Sequence, residues 1–378
     1  MSNHTRHKIL FISSWFPNQL EPTNGNFVQR HAEAVSLLHD VGVLHAIGDF
    51  NQKEKFVFDD QVINGIRTLI VYYKNSKNPL QNFLRRMKAY QLGFKKMQKP
   101  DLVHGNVLHN NMFFAVSLKR KYGIPFVISE HWSIFQEQNH AKSSKSARFL
   151  AKKIAEKASF ILPVTENLIS GLRKLGITTP MKVVGNVVDT DLFSPKCKES
   201  ENFTFLHISN LIALKNPKKI IKAAIDLHQI NPHFELQIGG DGDLKPLQEI
   251  IHENKAEDYI KTFGMLSLEH VSEKMKTANC FVLFSDYENQ PCVILESLAS
   301  GIPVIATNVG GIPELLSGNR GVLIAKNDTG SLFHAMKNVL DKKVEFETPE
   351  NARKFVEENY SKQVIAEKFS EIYNQVLS

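Results

Sequence analysis

The chain has 378 residues, 42% of them hydrophobic and 22% charged, a balance that allows two domains with a core each and excludes a disordered or fibrous protein. Its three cysteines, Cys197, Cys280 and Cys292, form no C-x-x-C, which excludes a disulfide framework and a zinc ribbon and favours a reducing compartment. Net charge is +7, but residues 1–190 hold 26 Lys and Arg against 13 Asp and Glu, and the remainder 20 against 26, so a basic half precedes an acidic one.

Short runs rich in Val, Ile and Phe alternate with longer stretches of helical period, the signature of βαβ units and parallel sheets. The first half carries strand candidates at Lys8 to Ser13, Val41 to Ile47, Thr68 to Tyr73, Leu102 to His104, Phe126 to Ser129 and Phe160 to Val164. The second carries them at Phe203 to Ile208, Phe234 to Ile238, Ile260 to Phe263, Cys280 to Phe284, Val304 to Thr307 and Gly321 to Ile324. Between them fall helix candidates at Gly25 to Leu38, Pro217 to Gln229, Leu244 to Glu253 and Ser331 to Leu340. Two doubly wound α/β domains are expected, 1–195 and 196–360, with the polar stretch Pro195 to Asn202 as the boundary and 361–378 as a terminal helix returning to the first domain. Open α/β sheets bind ligands beyond the carboxyl ends of their strands, so the cleft between two such domains is the expected ligand site.

No apolar run approaches the ~18 residues that cross a bilayer, and the stretch Ile9 to Phe16 is broken by Ser13 and Ser14 with no small-residue cleavage site behind it. A cytoplasmic chain is expected. The basic half suits an anionic membrane surface or an acidic substrate. Nucleic acid has no support, since zinc-finger spacing, an RNP-type strand and a basic heptad are all missing from the sequence.

The densest chemistry lies in Ser285 to Leu316, SDYENQPCVILESLASGIPVIATNVGGIPELL. A strand ends in a polar turn and a helix starts near Pro291, a residue suited to the first helical position. The unpaired N–H groups and positive dipole end of such a start form a phosphate site. Glu288 before the helix and Glu296 in its second turn suit hydrogen bonds from sugar hydroxyls rather than phosphate. Gly310-Gly311-Ile312-Pro313-Glu314 opens a second helix in the same way.

Glu288 and Glu296, separated by seven residues and followed by Gly301-Ile302-Pro303-Val304-Ile305-Ala306 and the Gly310-Gly311 turn, resemble the E-x7-E signature of GT-B glycosyltransferases, family 4 of the sequence-based classification. Weaker matches run over nearly the full length: Trp15-Phe16-Pro17 with Gly25-Asn26-Phe27, Asp101-Leu102-Val103-His104, Ser129-Glu130-His131-Trp132, and Gly185-Asn186-Val187-Val188-Asp189 with Phe193. The resemblance implies the GT-B fold and a retaining transfer from a nucleoside-diphosphate sugar, bound mainly by the C-terminal domain. The acceptor, a saccharide or lipid-linked saccharide, would be held by the N-terminal domain, in polysaccharide or glycolipid synthesis.

By the same resemblance Glu296 binds the nucleotide ribose and Glu288 approaches the donor-sugar hydroxyls. The backbone of Asn289, Gln290, Pro291, Cys292 and Val293 lines the sugar and diphosphate. Lys215 neutralises the diphosphate, and His131 is set against the donor sugar near the reacting carbon. Gly25 lets the first loop approach the phosphates, and Met265 and Leu266 present backbone to the base. Two positions depart from the pattern. Asn210 stands where an arginine often partners the lysine, and Asn289-Gln290-Pro291 replaces a common Gly-Phe-Gly.

Asp189-Thr190-Asp191 and Asp241-Gly242-Asp243 have the D-x-D spacing of the metal-dependent GT-A fold. One falls in the pre-linker match and the other in the turn after a strand, so a metal-independent reaction without cofactor is expected. No H-x-x-x-H supports a metal site, and no G-x-G-x-x-G supports a nicotinamide enzyme. A stripe at helical spacing, Phe83, Met87, Tyr90, Phe94 and Met97, has Arg85, Arg86, Lys88, Lys95, Lys96 and Lys99 on the remaining surface. It fits a core-facing helix with a solvated back. The alternative is an interfacial helix on anionic lipid at the inner face of the membrane, to which the basic run Lys142 to Lys157 would add charge. Rival readings are a GT-B-fold sugar-nucleotide epimerase and a non-catalytic sugar-binding protein.

Overall fold

The structure, a computed structural model, describes residues 5–142, 144–195 and 202–378. The chain divides into two compact units, one ending at Val187 and completed by Lys362–Ser378, the other Val188–Ser361. The first unit runs β1 (Lys8–Ser13), α1 (Asn26–Ser36), β2 (Asp40–Asp49), β3 (Phe56–Ile63), β4 (Ile66–Lys74), α2 (Pro79–Phe94), β5 (Leu102–Asn106), α3 (Phe113–Tyr122), β6 (Phe126–Glu130), α4 (Lys145–Ala155), β7 (Phe160–Pro163) and α5 (Glu166–Lys174). The second runs β8 (Phe203–Ile208), α6 (Pro217–His228), β9 (Phe234–Gly239), α7 (Lys245–Glu253), β10 (Ile260–Phe263), α8 (Leu268–Thr277), β11 (Cys280–Leu283), α9 (Cys292–Ala299), β12 (Val304–Thr307), α10 (Ile312–Leu316), β13 (Gly321–Ile324), α11 (Thr329–Leu340) and α12 (Pro349–Tyr360). Helix α13 (Lys362–Leu377) belongs to the first unit.

The first sheet has the order β3-β4-β2-β1-β5-β6-β7 and the second β10-β9-β8-β11-β12-β13. The described pairings are parallel except β3 against β4. Both are Rossmann-like sheets with helices packed on both faces. The period-2 alternation of a strand sends neighbours to opposite faces. Leu10 and Ile12 of β1 join one cluster while Ile9 and Phe11 join another. In the second unit Cys280 and Val282 of β11 face one cluster, and Phe281 and Leu283 the other. Strands buried on both sides read as continuous apolar runs, which is why these spans were visible in the sequence.

The expected boundary at Pro195 to Asn202 falls mostly outside the described residues. Residues 188–195, expected in the first domain, lie in the second unit, because Val188 and Phe193 are fully buried among Leu206, Ile294 and Val356. Val188 N–H also donates to the Tyr360 carbonyl at 2.9 Å. Helix α13 packs on α1 and places Phe369 and Tyr373 in the first unit's core.

Gly25 precedes α1 with φ +79°, where a Cβ would collide with the Trp15 carbonyl group and sit 2.6 Å from the Phe16 nitrogen. Only glycine takes that conformation without cost. Gly25→Ala should therefore destabilise the first unit by more than about 1 kcal/mol, read as a lower urea midpoint. A midpoint equal to that of the unmodified chain would show that this turn relaxes freely.

The stripe on α2 is absorbed by the core. Tyr90 is fully buried, and Met87, Phe94 and Met97 pack against the cluster that contains it. Arg86, expected on the solvated back, turns inward instead: Nε donates to Tyr73 Oη and Nη1 to Asn110 Oδ1, both at 3.1 Å. The exposed apolar residues of this helix are Leu80 and Leu84. No helix among the described residues is long and apolar enough to cross a membrane.

Candidate active site

In the second unit the loop from β8 to α6 is fixed from beneath by His207. Burial lowers this imidazole's pKa to about 4, assisted by the charge of Lys215, so the ring is neutral near pH 7. Its Nδ1 lies 2.8 Å from the Val282 carbonyl, which can only accept. Nδ1 therefore carries the hydrogen, and Nε2 accepts from the Ser209 hydroxyl at 2.8 Å. Ser209 Oγ in turn accepts from Leu211 N–H at 3.1 Å. Gly240, with φ +144°, lies against the same loop, where a Cβ would overlap the Ser209 carbonyl.

At the far end of the loop Asn216 has φ +50° and donates from Nδ2 to the Phe284 carbonyl at 3.0 Å and to Asp286 Oδ1 at 2.9 Å. Asp286 N–H returns a bond to the Leu214 carbonyl at 2.9 Å. The β8–α6 loop is thus stitched to the loop after β11, and the stitching brings Lys215 onto Glu288. Lys215 Nζ and Glu288 Oε1 form an ion pair whose side chains are only 16% and 10% exposed. Two residues expected to serve different parts of a ligand therefore meet. Asn216 and Asp286, which the motifs did not single out, position them.

Past Glu288, Asn289 and Gln290 are buried and Pro291 is the N-cap of α9, one place earlier than the helical position expected for it. Cys292 and Val293 form the first turn, partly exposed, with Cys292 in the thiol form. Glu296 lies in the second turn and is 3% exposed. The Asn289 carbonyl accepts from Gly311 N–H at 3.1 Å, tying this segment to the Gly310-Gly311 turn. Asn210 is exposed on the Lys215 loop, where its backbone lies against Gly242. After β10, Met265 is 66% exposed, whereas Leu266 packs on the second unit's core.

Both D-x-D stretches are used in backbone turns: Asp189 Oδ1 accepts from Asp191 and Leu192 N–H groups, and Asp243 Oδ1 from Lys245 N–H where α7 begins.

Gly25 and His131 lie in the first unit. The His131 ring is 4.4 Å from that of Phe27 on α1, and its nitrogens are buried. Burial, with the charges of His31 and His104, holds its pKa well below the ordinary histidine value, so it is neutral near pH 7. The preceding residue is more unusual. Glu130 is fully buried, its Oε1 accepting from Trp132 N–H and Oε2 from Leu108 N–H, each at 2.6 Å. Burial raises its pKa to about 7 against those bonds. Glu130 thereby joins the loop after β5 to the loop that carries His131.

Residues 189–362 match the family described as glycosyl transferases group 1, and residues 25–192 match glycosyltransferase family 4. The chain is 24% identical to the glycogen synthase of Mycobacterium tuberculosis over 88% of its own length and 86% of that protein. It is also 24% identical to the putative teichuronic acid biosynthesis glycosyltransferase TuaC of Bacillus subtilis, over 87% and 88%. Among solved structures, HepE of Anabaena in complex with UDP superposes with a TM-score of 0.76 at 19% identity, covering 97% of this chain and all of that one. The two family matches together span residues 25–362, and with the paired Rossmann-like units they identify the chain as a member of the GT-B glycosyltransferases of family 4, group 1.

Proposed function

We propose that the chain moves a glycosyl group from a nucleoside-diphosphate sugar to a hydroxyl of a saccharide or lipid-linked saccharide, with retention of configuration and without a metal. The observation that carries this reading is the Lys215–Glu288 ion pair just ahead of the α9 N-terminus. An almost buried ammonium and, a few residues on, the positive dipole end of a helix suit a departing diphosphate. Glu288 suits the donor-sugar hydroxyls, and Glu296 the ribose. The anomeric C–O bond to the diphosphate breaks with its electron pair on phosphate, the acceptor oxygen bonds the same carbon, and the acceptor proton passes to the phosphate oxygen. Asn289, Gln290, Pro291, Cys292 and Val293 would line the diphosphate and sugar, with Asn210 beside them and Met265 and Leu266 near the base. HepE, whose structure contains UDP, and relatives named for glycogen and teichuronic acid synthesis support the donor and acceptor classes. The basic first half, with exposed Leu80 and Leu84 on α2, supports peripheral residence at an anionic membrane surface.

The test is a thermal-shift panel of UDP-, GDP-, ADP- and dTDP-sugars, followed by product analysis with and without acceptor. A cognate donor at a hundred times its Kd should stabilise the chain by about 2.7 kcal/mol. Glu296→Ala should raise that Kd tenfold or more. Unchanged affinity in this variant would remove Glu296 from the ribose. An altered nucleotide sugar formed without acceptor would replace transfer by epimerisation, and loss of turnover in EDTA restored by manganese would overturn the metal-free assignment.

A further inference from the structure

A second concave site lies wholly within the first unit, a cleft of about 280 Å³ beyond the carboxyl ends of the parallel strands β1, β2, β5 and β6. Its floor is preorganised. Asn111, 1% exposed, accepts from Ser14 Oγ at 2.8 Å and donates to Tyr90 Oη at 3.3 Å, and Tyr90 Oη donates to the Ser13 carbonyl. Trp15 and Trp132 meet edge to face at 82° with centroids 5.8 Å apart, making an apolar corner against which the C–H face of a sugar ring can lie. His109 completes one side, kept neutral by burial and by the charge of Arg86.

The unusual member is Arg86. Among the described residues both of its hydrogen-bond acceptors, Tyr73 Oη and Asn110 Oδ1, are neutral. Neutral acceptors do not offset the charge of this half-buried guanidinium, and its planar fork matches carboxylate and phosphate oxygens. The carboxylate in the lining, Glu21, accepts from Asn24 Nδ2 at 2.6 Å. The cleft therefore offers a fixed cation, a carboxylate able to accept from hydroxyls and an aromatic corner in one small volume.

We propose that this cleft is an acceptor subsite for an oxyanion-bearing saccharide, with Arg86 as the ligand of its carboxylate or phosphate. The inference rests on the glycosyl-transfer reading and names its acceptor class. It is tested on the full chain by titrating methyl β-D-glucuronide, glucose 6-phosphate and methyl β-D-glucoside at 150 mM salt, with binding read by calorimetry. At least one anionic probe should bind tenfold or more tighter than the neutral glucoside, and the two anionic arms tell carboxylate from phosphate. Arg86→Gln should erase the preference and Arg86→Lys should keep part of it. Lys88→Gln, exposed on the same helix, should leave it intact.

Equal binding of all three probes by the unmodified chain, or a preference that survives Arg86→Gln, overturns the assignment. Should Arg86→Gln fail to fold, the unmodified chain and Arg86→Lys still decide the matter. A parallel nucleotide-sugar titration separates the two readings. Donor binding without anion preference sinks the subsite alone, whereas Arg86-dependent anion binding without any donor sinks glycosyl transfer and leaves the subsite standing.

Discussion

Lys215→Ala should lower turnover about a hundredfold or more and also lower the melting temperature, and the two losses should separate when Glu288→Gln is added. The side chains of this ion pair are almost buried. Removing the ammonium leaves a carboxylate in a poorly solvated place, which for a fully buried pair costs about 3–5 kcal/mol. The residual exposure of both groups reduces this to about 2 kcal/mol, or roughly 4–8 °C for a unit of this size. An amide at position 288 has no charge to bury, so Lys215→Ala/Glu288→Gln should regain most of the lost melting temperature. Turnover should stay low, because a preorganised group acting on a developing anion is worth about 10²–10³ in rate. Calorimetry and single-turnover kinetics on the same samples give both readings. A Lys215→Ala chain that melts lower yet turns over at full rate would make the lysine purely structural. A double variant that regains turnover as well would show that Glu288, not the diphosphate, is the lysine's functional partner.

The physics that made the sheets readable also explains what escaped. Strands buried on both faces announce themselves as apolar runs, and twelve of the thirteen strands among the described residues are expected from the sequence within a few residues of their ends. The missing one, β3, is an antiparallel edge strand, exposed along Asp60 to Val62, and charge on an edge hides the strand pattern while it protects against aggregation. Its signal was Asn64-Gly65, two residues with positive φ that close a tight hairpin between Ile63 and Ile66. The unit boundary was displaced for a different reason. Composition reports solvation, and residues 188–195 are turn-like in sequence although Val188 and Phe193 are core residues.

At the candidate site, Lys215 and Glu288 were each legible from their motifs, but their pairing depends on Asn216 and Asp286, two polar residues indistinguishable in sequence from ordinary turn formers. Arg86 was hidden by its neighbours, since helical spacing places it on the charged back of α2. Its long side chain reaches Tyr73 and Asn110 instead, a direction set by tertiary partners rather than by period.

Glu130→Gln should change how stability of the first unit depends on pH. The Glu130 pKa is about 7 in the folded chain against 4.5 for the free side chain. Between those values the folded state holds a proton that the unfolded chain has released, so this residue's contribution falls as pH rises. The shift corresponds to about 2–3 kcal/mol between pH 5 and pH 8. The buried histidines act in the opposite sense: His31 and His45, with pKa values of about 4 caused mainly by burial, destabilise as pH falls from 6.5 towards 4. The slope of the unmodified chain is therefore a sum, and the difference between it and Glu130→Gln isolates the carboxyl. Glutamine keeps one acceptor for the Leu108 and Trp132 N–H groups and loses the other, a penalty of about 1–3 kcal/mol that does not depend on pH. The unmodified chain should accordingly lead at pH 5 and lose most or all of that lead by pH 8. Urea unfolding followed by tryptophan fluorescence reads this unit directly, since both tryptophans, Trp15 and Trp132, lie within it. A stability difference constant across that range would show that Glu130 is ionised in the folded chain throughout, and that its backbone bonds outweigh burial.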